Sequence, residues 1–302
     1  MKIFTLQKHV IFSSEQIILF GLLDKLIKEQ PHCYNFNGKS RYDGLINYCK
    51  FKFTYVDDCL NTDIIVLPYK FKGVNDKIYL YLNNLSQIHN KPLWCFYNDD
   101  DDSNYSITSN VTLFRTSFYN LTKLKNERSL IAFSPDYFKG NIIQQPILKI
   151  GYCGHILHGR KKYIEMLLKS DIKTDFKLRK GFWAPGINKQ QARKEYFTNM
   201  ENNIFTFCYR GAGNFSYRFY ETLMMGRIPI LINTDCVFPF WNEIKSKNIG
   251  LILDDDINFI ENIKKYYEKN KNNLVNIQIN NRKLWEKYYS PIGFLENITH
   301  NI

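Results

Sequence analysis

Short runs of consecutive apolar residues alternate along this chain with longer stretches in which apolar side chains return every three or four positions. The first kind reads as strands buried on both faces, the second as amphipathic helices. In the first half a helix is predicted over 17–27, opened by a capping box of Ser13 and Gln16 and stopped by Pro31. Strands follow at 63–69 (DIIVLPY), 92–97 (PLWCFY) and 110–114, with a helix at 75–89. In the second half strands are predicted at 146–153, 175–178, 203–208 (NIFTFC), Ile228–Ile232 and 249–253. Helices are predicted between and after them, at Arg160–Lys169, 188–200, 215–225 and 257–269. Strands alternating with helices of this length imply parallel sheets. Two such blocks, parted near 144–146, predict an α/β protein of two Rossmann-like domains, 1–145 and 146–302, with ligands at the carboxyl ends of the strands. The C-terminal helix is free in this scheme to pack back on the first domain.

Composition narrows the picture. At 302 residues the chain exceeds the ~100–200 residues of a usual single domain. Its 44% hydrophobic and 16% aromatic content excludes a disordered protein. The best apolar run, 17–20 with Leu22 and Leu23, is broken by Gly21 and Asp24, far short of the ~20 residues of a membrane span. No signal peptide or transmembrane anchor is expected. Seven cysteines without CxxC spacing suit reduced, buried thiols and a cytoplasmic location.

The net charge of +12 suits nucleic acid, an anionic surface or a phosphorylated small molecule. Lysine is three times as frequent as arginine, so the placement of arginine is more telling than the total. Arg160, Arg179, Arg193, Arg210, Arg218 and Arg227 crowd into one stretch of the second half. Arginine retained in a lysine-rich chain suggests bidentate work on phosphate or carboxylate.

The densest chemistry lies where the strand ending near Tyr209 runs into Arg210-Gly211-Ala212-Gly213-Asn214 and then a helix starting near Ser216. Glycines at such a turn let backbone N–H groups approach a phosphate, and the helix N-terminus favours its charge. Arg210 and Arg218 can neutralise a diphosphate from either side. Ser216 can cap the helix or donate to phosphate. Glu221, one turn beyond Arg218, can accept from the vicinal hydroxyls of a ribose. The alternative at this point is a surface helix with an Arg218–Glu221 pair, the glycines merely turning the chain.

The full string, R-G-x-G-N-x-S-x-R-x-Y-E-x-L-x-x-G-R-I-P-x-L from Arg210 to Leu231, resembles the exostosin family, glycosyltransferase family 47, in its short viral and bacterial forms. The resemblance runs from about Lys149 to Trp285. It extends in patches over 91–137, through a strand entering an Asp run, an Asn-Val-x-x-Phe-Arg-x-Ser stretch and the pair Asn126 and Glu127. It implies a GT-B fold, with the two domains facing each other across a cleft. It also implies inverting transfer from a nucleotide sugar, commonly a uridine diphosphate sugar, to a glycan or glycoprotein hydroxyl, with no cofactor and no obligatory metal. Arg210, Gly211, Gly213, Ser216, Arg218 and Glu221 fall on the donor motif. Asp235, after the strand Ile228–Ile232, falls where the family places a polar residue near the donor. The chain is shorter than the animal members and lacks their membrane anchor, so their heparan-type substrate does not carry over.

Further candidates surround this core. Arg160, after the loop 151–159, is placed to touch the diphosphate or else to start a solvated helix with Lys161 and Lys162. His155 and His158 flank that loop, Arg179 and Lys180 end another strand, and Trp183 and Trp241 are candidates for stacking on a sugar or base. The run Asp99, Asp100, Asp101, Asp102 has three readings: a solvated loop, a DxD metal site of a metal-dependent glycosyltransferase, or the source of the general base. For the base, Asp99 and Asp100 are preferred, nearest the strand end, and mutual repulsion is expected to raise the pKa of some members. Glu127 and Asp58 stand in reserve. A basic nucleic-acid-binding protein is the rival from another class; the enzyme reading expects no nucleic acid.

Overall fold

A computed structural model describes residues 1–10, 48–49, 52–157, 159–181, 184–255 and 257–300. The helix predicted over 17–27, with Ser13, Gln16 and Pro31, lies outside the described residues, as do His158 and Trp183. The chain divides into two compact units: Met1–Pro135 with Asp235–Pro239, and Asp136–Thr234 with Phe240–Ile302. The sequence places the break some ten residues later and does not anticipate the return of 235–239 to the first unit. The C-terminal helix groups with the second.

The first unit is built on a parallel sheet with the strand order β2-β1-β3-β4-β5-β6. Its strands are β1 (Lys2–Phe4), β2 (Thr54–Tyr55), β3 (Ile64–Val66), β4 (Leu93–Tyr97), β5 (Val111–Arg115) and β6 (Glu127–Ser129). Ile64, Ile65 and Val66 are all buried, as expected of a central strand covered on both faces. Helix α1 (Lys77–Ile88) joins β3 to β4, and Asp76 caps it by accepting from the amides of Ile78 and Tyr79. Tyr79 and Leu82 on its inner face pack with Leu67, Phe71, Cys95 and Leu113. The returning segment is fastened to this unit. Asp235, in the left-handed region at φ 58°, accepts from the amides of Asn120 through its carbonyl and Leu121 through its carboxylate. Cys236 bridges Tyr119, and the Val237 carbonyl accepts from Ser129.

The second unit has the parallel order β11-β10-β9-β7-β8. Its strands are β7 (Lys149–His155), β8 (Lys173–Arg179), β9 (Phe205–Cys208), β10 (Ile228–Ile232) and β11 (Leu251–Leu253). The connecting helices are α2 (Arg160–Lys169), α3 (Lys189–Glu201), α4 (Tyr217–Met224) and α5 (Trp241–Ile244). The chain ends with α6 (Phe259–Asn270), α7 (Leu274–Leu284), a π-helical turn Trp285–Tyr289 and α8 (Pro291–Thr299). From β7 the chain steps outward to β8 and then returns to the other side for β9, β10 and β11. The order therefore reverses between β7 and β9, and such a switch point opens a crevice at the carboxyl ends of the two strands.

Arg227, expected from sequence among the anion-handling arginines, does other work. It is 1% exposed, and its guanidinium donates to the carbonyls of Met200, Asn141, Met225 and Glu201. Burial pushes its pKa down to about 10. The buried Asn281 of α7 donates in turn to the carbonyls of Arg227 and Ile249. The Gly226-Arg227-Ile228-Pro229 string of the family motif is thus scaffold: it pins α7 to the start of β10.

Candidate functional site

The loops leaving β7 and β9 meet at the switch point. Gly159 ends the first loop in the left-handed region at φ 77°, and a Cβ there would lie 2.6 Å from the Tyr209 hydroxyl. Only glycine fits that approach. Arg160, the first residue of α2, is 8% exposed and so is not part of a solvated helix start. Its Nη1 donates to the His155 carbonyl at 2.9 Å and its Nη2 to the Arg210 carbonyl at 2.6 Å. It stitches one loop to the other.

The glycine turn closes on itself through the Gly211 amide and the Phe215 carbonyl at 2.8 Å. Gly213 and Asn214 are buried, while Arg210 is half-buried, with Nη2 on the Ala212 carbonyl at 2.9 Å. The buried Asn214 accepts from Thr234 at 2.7 Å, which ties the turn to the end of β10. Ser216 stands at the N-cap of α4 with an extended backbone, φ −133° and ψ 112°, yet its hydroxyl makes no capping bond. The Phe219 amide donates to the Ser216 carbonyl at 3.2 Å, and the Ser216 hydroxyl is not committed to capping the helix.

Arg218, in the first turn of α4, points back toward β7. Its Nη2 donates to the Cys153 carbonyl at 2.7 Å, and its guanidinium carbon lies 4.2 Å from the Tyr152 ring centroid and 5.4 Å from that of Tyr196. Gly154 makes room for it, since a Cβ there would lie 2.6 Å from Nη2. Glu221 is 2% exposed. Its Oε2 accepts from the Tyr196 hydroxyl at 2.5 Å, and its Oε1 lies 3.6 Å from Arg193. Burial and the Glu221 carboxylate hold the Tyr196 pKa well above the ordinary range, so the hydroxyl stays a donor. Tyr152, Tyr196 and the pairing of Arg193 went unnoticed in the sequence. The aromatic content hid the first two, and only the helical spacing of Arg193 and Tyr196 on α3 hints at a shared face.

Arg179 pairs with Glu195, and its Nη2 lies 3.7 Å from the Cys153 sulfur. Lys180 is exposed and Trp241 opens α5. The Asp235 carboxylate is held by Leu121, within the first unit.

In the first unit the acidic run follows β4, at the carboxyl edge of its sheet. Asp99 pairs with Lys70 at 2.8 Å. Asp101 accepts from Ser103, from Tyr97 at 3.0 Å and from Tyr105 at 2.5 Å, and Asp102 accepts from Tyr119 at 3.0 Å. Asp100 is exposed. The expectation of raised pKa values is corrected for two members. Burial pushes Asp101 up, but its hydrogen bonds outweigh burial and hold it at about 2. Asp99 likewise lies below the usual range, burial being overcome by Lys70 and backbone amides. Glu127 is buried, paired with Arg115 at 2.9 Å, and accepts from the Leu124 amide. Asp58 caps Leu60 and binds Asn61. Among the described residues no three His, Cys, Asp or Glu side chains are grouped to hold a metal, and no helix is long and apolar enough to cross a membrane.

No protein-family model matches the chain. Over 69 residues, 22% of this chain and 17% of the relative, it is 33% identical to the probable beta-1,4-xylosyltransferase IRX10L of Arabidopsis thaliana. Over 106 residues, 35% and 14%, it is 27% identical to exostosin-1 of Drosophila melanogaster. Over 61 residues, 20% and 14%, it is 33% identical to a probable glucuronosyltransferase of Oryza sativa subsp. japonica. The matched segments span between 14% and 17% of these relatives. A solved structure of T4 phage BGT in complex with its UDP-glucose substrate aligns over 98% of this chain and 99% of that one, with TM-score 0.35 and 10% identity. The chain is two parallel-sheet α/β units by its own strand order, and is similar over part of its length to exostosin-like glycosyltransferases.

Proposed function

We propose that the chain is an inverting glycosyltransferase that takes a sugar from a uridine diphosphate sugar and attaches it to a glycan hydroxyl. The observation that carries this reading is the N-terminus of α4 at the β7/β9 switch point. There a glycine turn, a Ser216 hydroxyl with no capping bond and the half-buried Arg210 lie together. The partial likeness to two named transferases and to exostosin-1 supports it. In the reaction the acceptor oxygen attacks the anomeric carbon while the bond from that carbon to the diphosphate breaks. The electron pair leaves on the β-phosphate, where the α4 amides, Ser216 and Arg210 would meet the developing charge. Glu221 would serve the ribose, and a carboxylate would take the acceptor proton, Asp100 being our choice. These groups supply the positive field without a divalent cation, so turnover is expected to survive chelation.

The test is a thermal-shift titration with UDP and a panel of UDP-sugars, followed by assays of donor hydrolysis and transfer with and without EDTA. Stabilisation by UDP together with release of UDP from one donor sugar supports the reading. Absence of both, with steeply salt-dependent binding to DNA or RNA, would replace it with the nucleic-acid alternative.

A further inference from the structure

We propose that Tyr196 is a positioning residue for the nucleotide site, a single side chain on α3 that sets both Arg218 and Glu221. This rests on the nucleotide-sugar reading above. Two independent contacts carry it. The ring lies 5.4 Å from the guanidinium carbon of Arg218, within cation–π range, and shares that group with Tyr152 on the opposite element. The hydroxyl donates to Glu221 Oε2 at 2.5 Å, while Arg193, 5.9 Å from the same ring, stands 3.6 Å from Oε1. Arg218 and Glu221 project from successive turns of α4, and helical spacing alone leaves their long side chains several rotamers each. Tyr196 removes that freedom for both at once. With its hydroxyl in place the Glu221 carboxylate is fixed in orientation; with its ring in place the guanidinium is confined to the gap above Gly154. A site organised in this way keeps its diphosphate and ribose groups in register before any ligand enters.

The two contacts can be removed separately. Tyr196→Phe deletes the hydroxyl and keeps the ring; Tyr196→Leu deletes both. The probes are UDP, 2′-deoxy-UDP and UMP, with affinities measured by calorimetry on the full chain. The wild type is expected to prefer UDP over each analogue about tenfold, the worth of roughly one charged hydrogen bond. In Tyr196→Phe the preference over 2′-deoxy-UDP should shrink to about twofold, while the preference over UMP stays near its original value. In Tyr196→Leu both preferences should shrink. A folded Tyr196→Phe that keeps its full preference over 2′-deoxy-UDP overturns the positioning role. Should Tyr196→Leu fail to fold, the Phe variant alone decides. A wild type that treats UDP, 2′-deoxy-UDP and UMP alike overturns the nucleotide reading itself, and the role of Tyr196 with it.

Discussion

Arg160 Nη2 donates to the Arg210 carbonyl at 2.6 Å, so the loop that follows β7 is bonded to the loop that follows β9 across the switch point of the second sheet. Arg160 thereby fixes the two loops that frame the switch point. Its removal takes this donor from the Arg210 carbonyl, while the His155 carbonyl keeps the Tyr152 hydroxyl at 2.5 Å. Arg160→Ala is expected to lower stability by about 1–3 kcal/mol and to weaken UDP binding with it. Thermal unfolding and calorimetry on the same sample check both effects, and an unchanged melting point would show the stitch to be idle.

Gly154 and Gly250 offer a contrast. A Cβ on Gly154 meets the movable end of Arg218 at 2.6 Å, whereas one on Gly250 meets the Pro229 carbonyl at 2.4 Å. Gly154→Ala, strained at φ 158°, should lose some stability and bind UDP about tenfold more weakly, as Arg218 is displaced. Gly250→Ala should lose stability through backbone displacement in β10. Melting curves and UDP titrations of the pair separate site from scaffold.

Among the acidic run, Asp100→Asn should keep UDP affinity while kcat falls by ~10²–10⁴, as expected for loss of a general base. Asp99→Asn should do less, since its carboxylate is held by Lys70 at 2.8 Å. Steady-state kinetics of each single variant decide this, and near-normal turnover in Asp100→Asn would remove the run from the chemistry.

Asp101 gives a pH signature instead. Its folded pKa of about 2 lies below the ordinary aspartate value of 3.8, so between those limits the unfolded chain binds more protons and stability rises with pH. That contribution is present above about pH 4 and is lost as pH falls toward 2. Acid unfolding followed by fluorescence should show a shallower slope across this window in Asp101→Asn.

Glu127 belongs to the fold. Its pairing with Arg115 has both side chains almost wholly buried, and breaking a buried pair costs about 3–5 kcal/mol. Glu127→Gln should therefore unfold at lower denaturant, with kcat per folded molecule changed less than severalfold.

The strand–helix rhythm was legible because parallel sheets demand continuous apolar runs. The runs 63–69, 92–97 and Ile228–Ile232 contain β3, β4 and β10, and Asp76 and Asn188 cap helices the period predicts. What escaped notice were elements too short or too polar to show a period: β1, β2, β6, and the helices α7 and α8 behind a lysine- and asparagine-rich segment. The glycine turn and Ser216 could be read as a site because their chemistry is local. The roles of Arg160, Arg227 and Tyr196 could not, because each is defined by partners distant in sequence.

Five residues, Asp235 to Pro239, carry a consequence for inheritance. They are encoded within the second half but are bonded to Asn120, Leu121 and Ser129 of the first. Neither half is therefore a cassette. A recombination event that joins the first 135 codons of one such gene to the remainder of another must match this pentapeptide to a foreign loop. A chimera cut after residue 135 should therefore keep its first unit intact only when 235–239 comes from the same parent as 1–135.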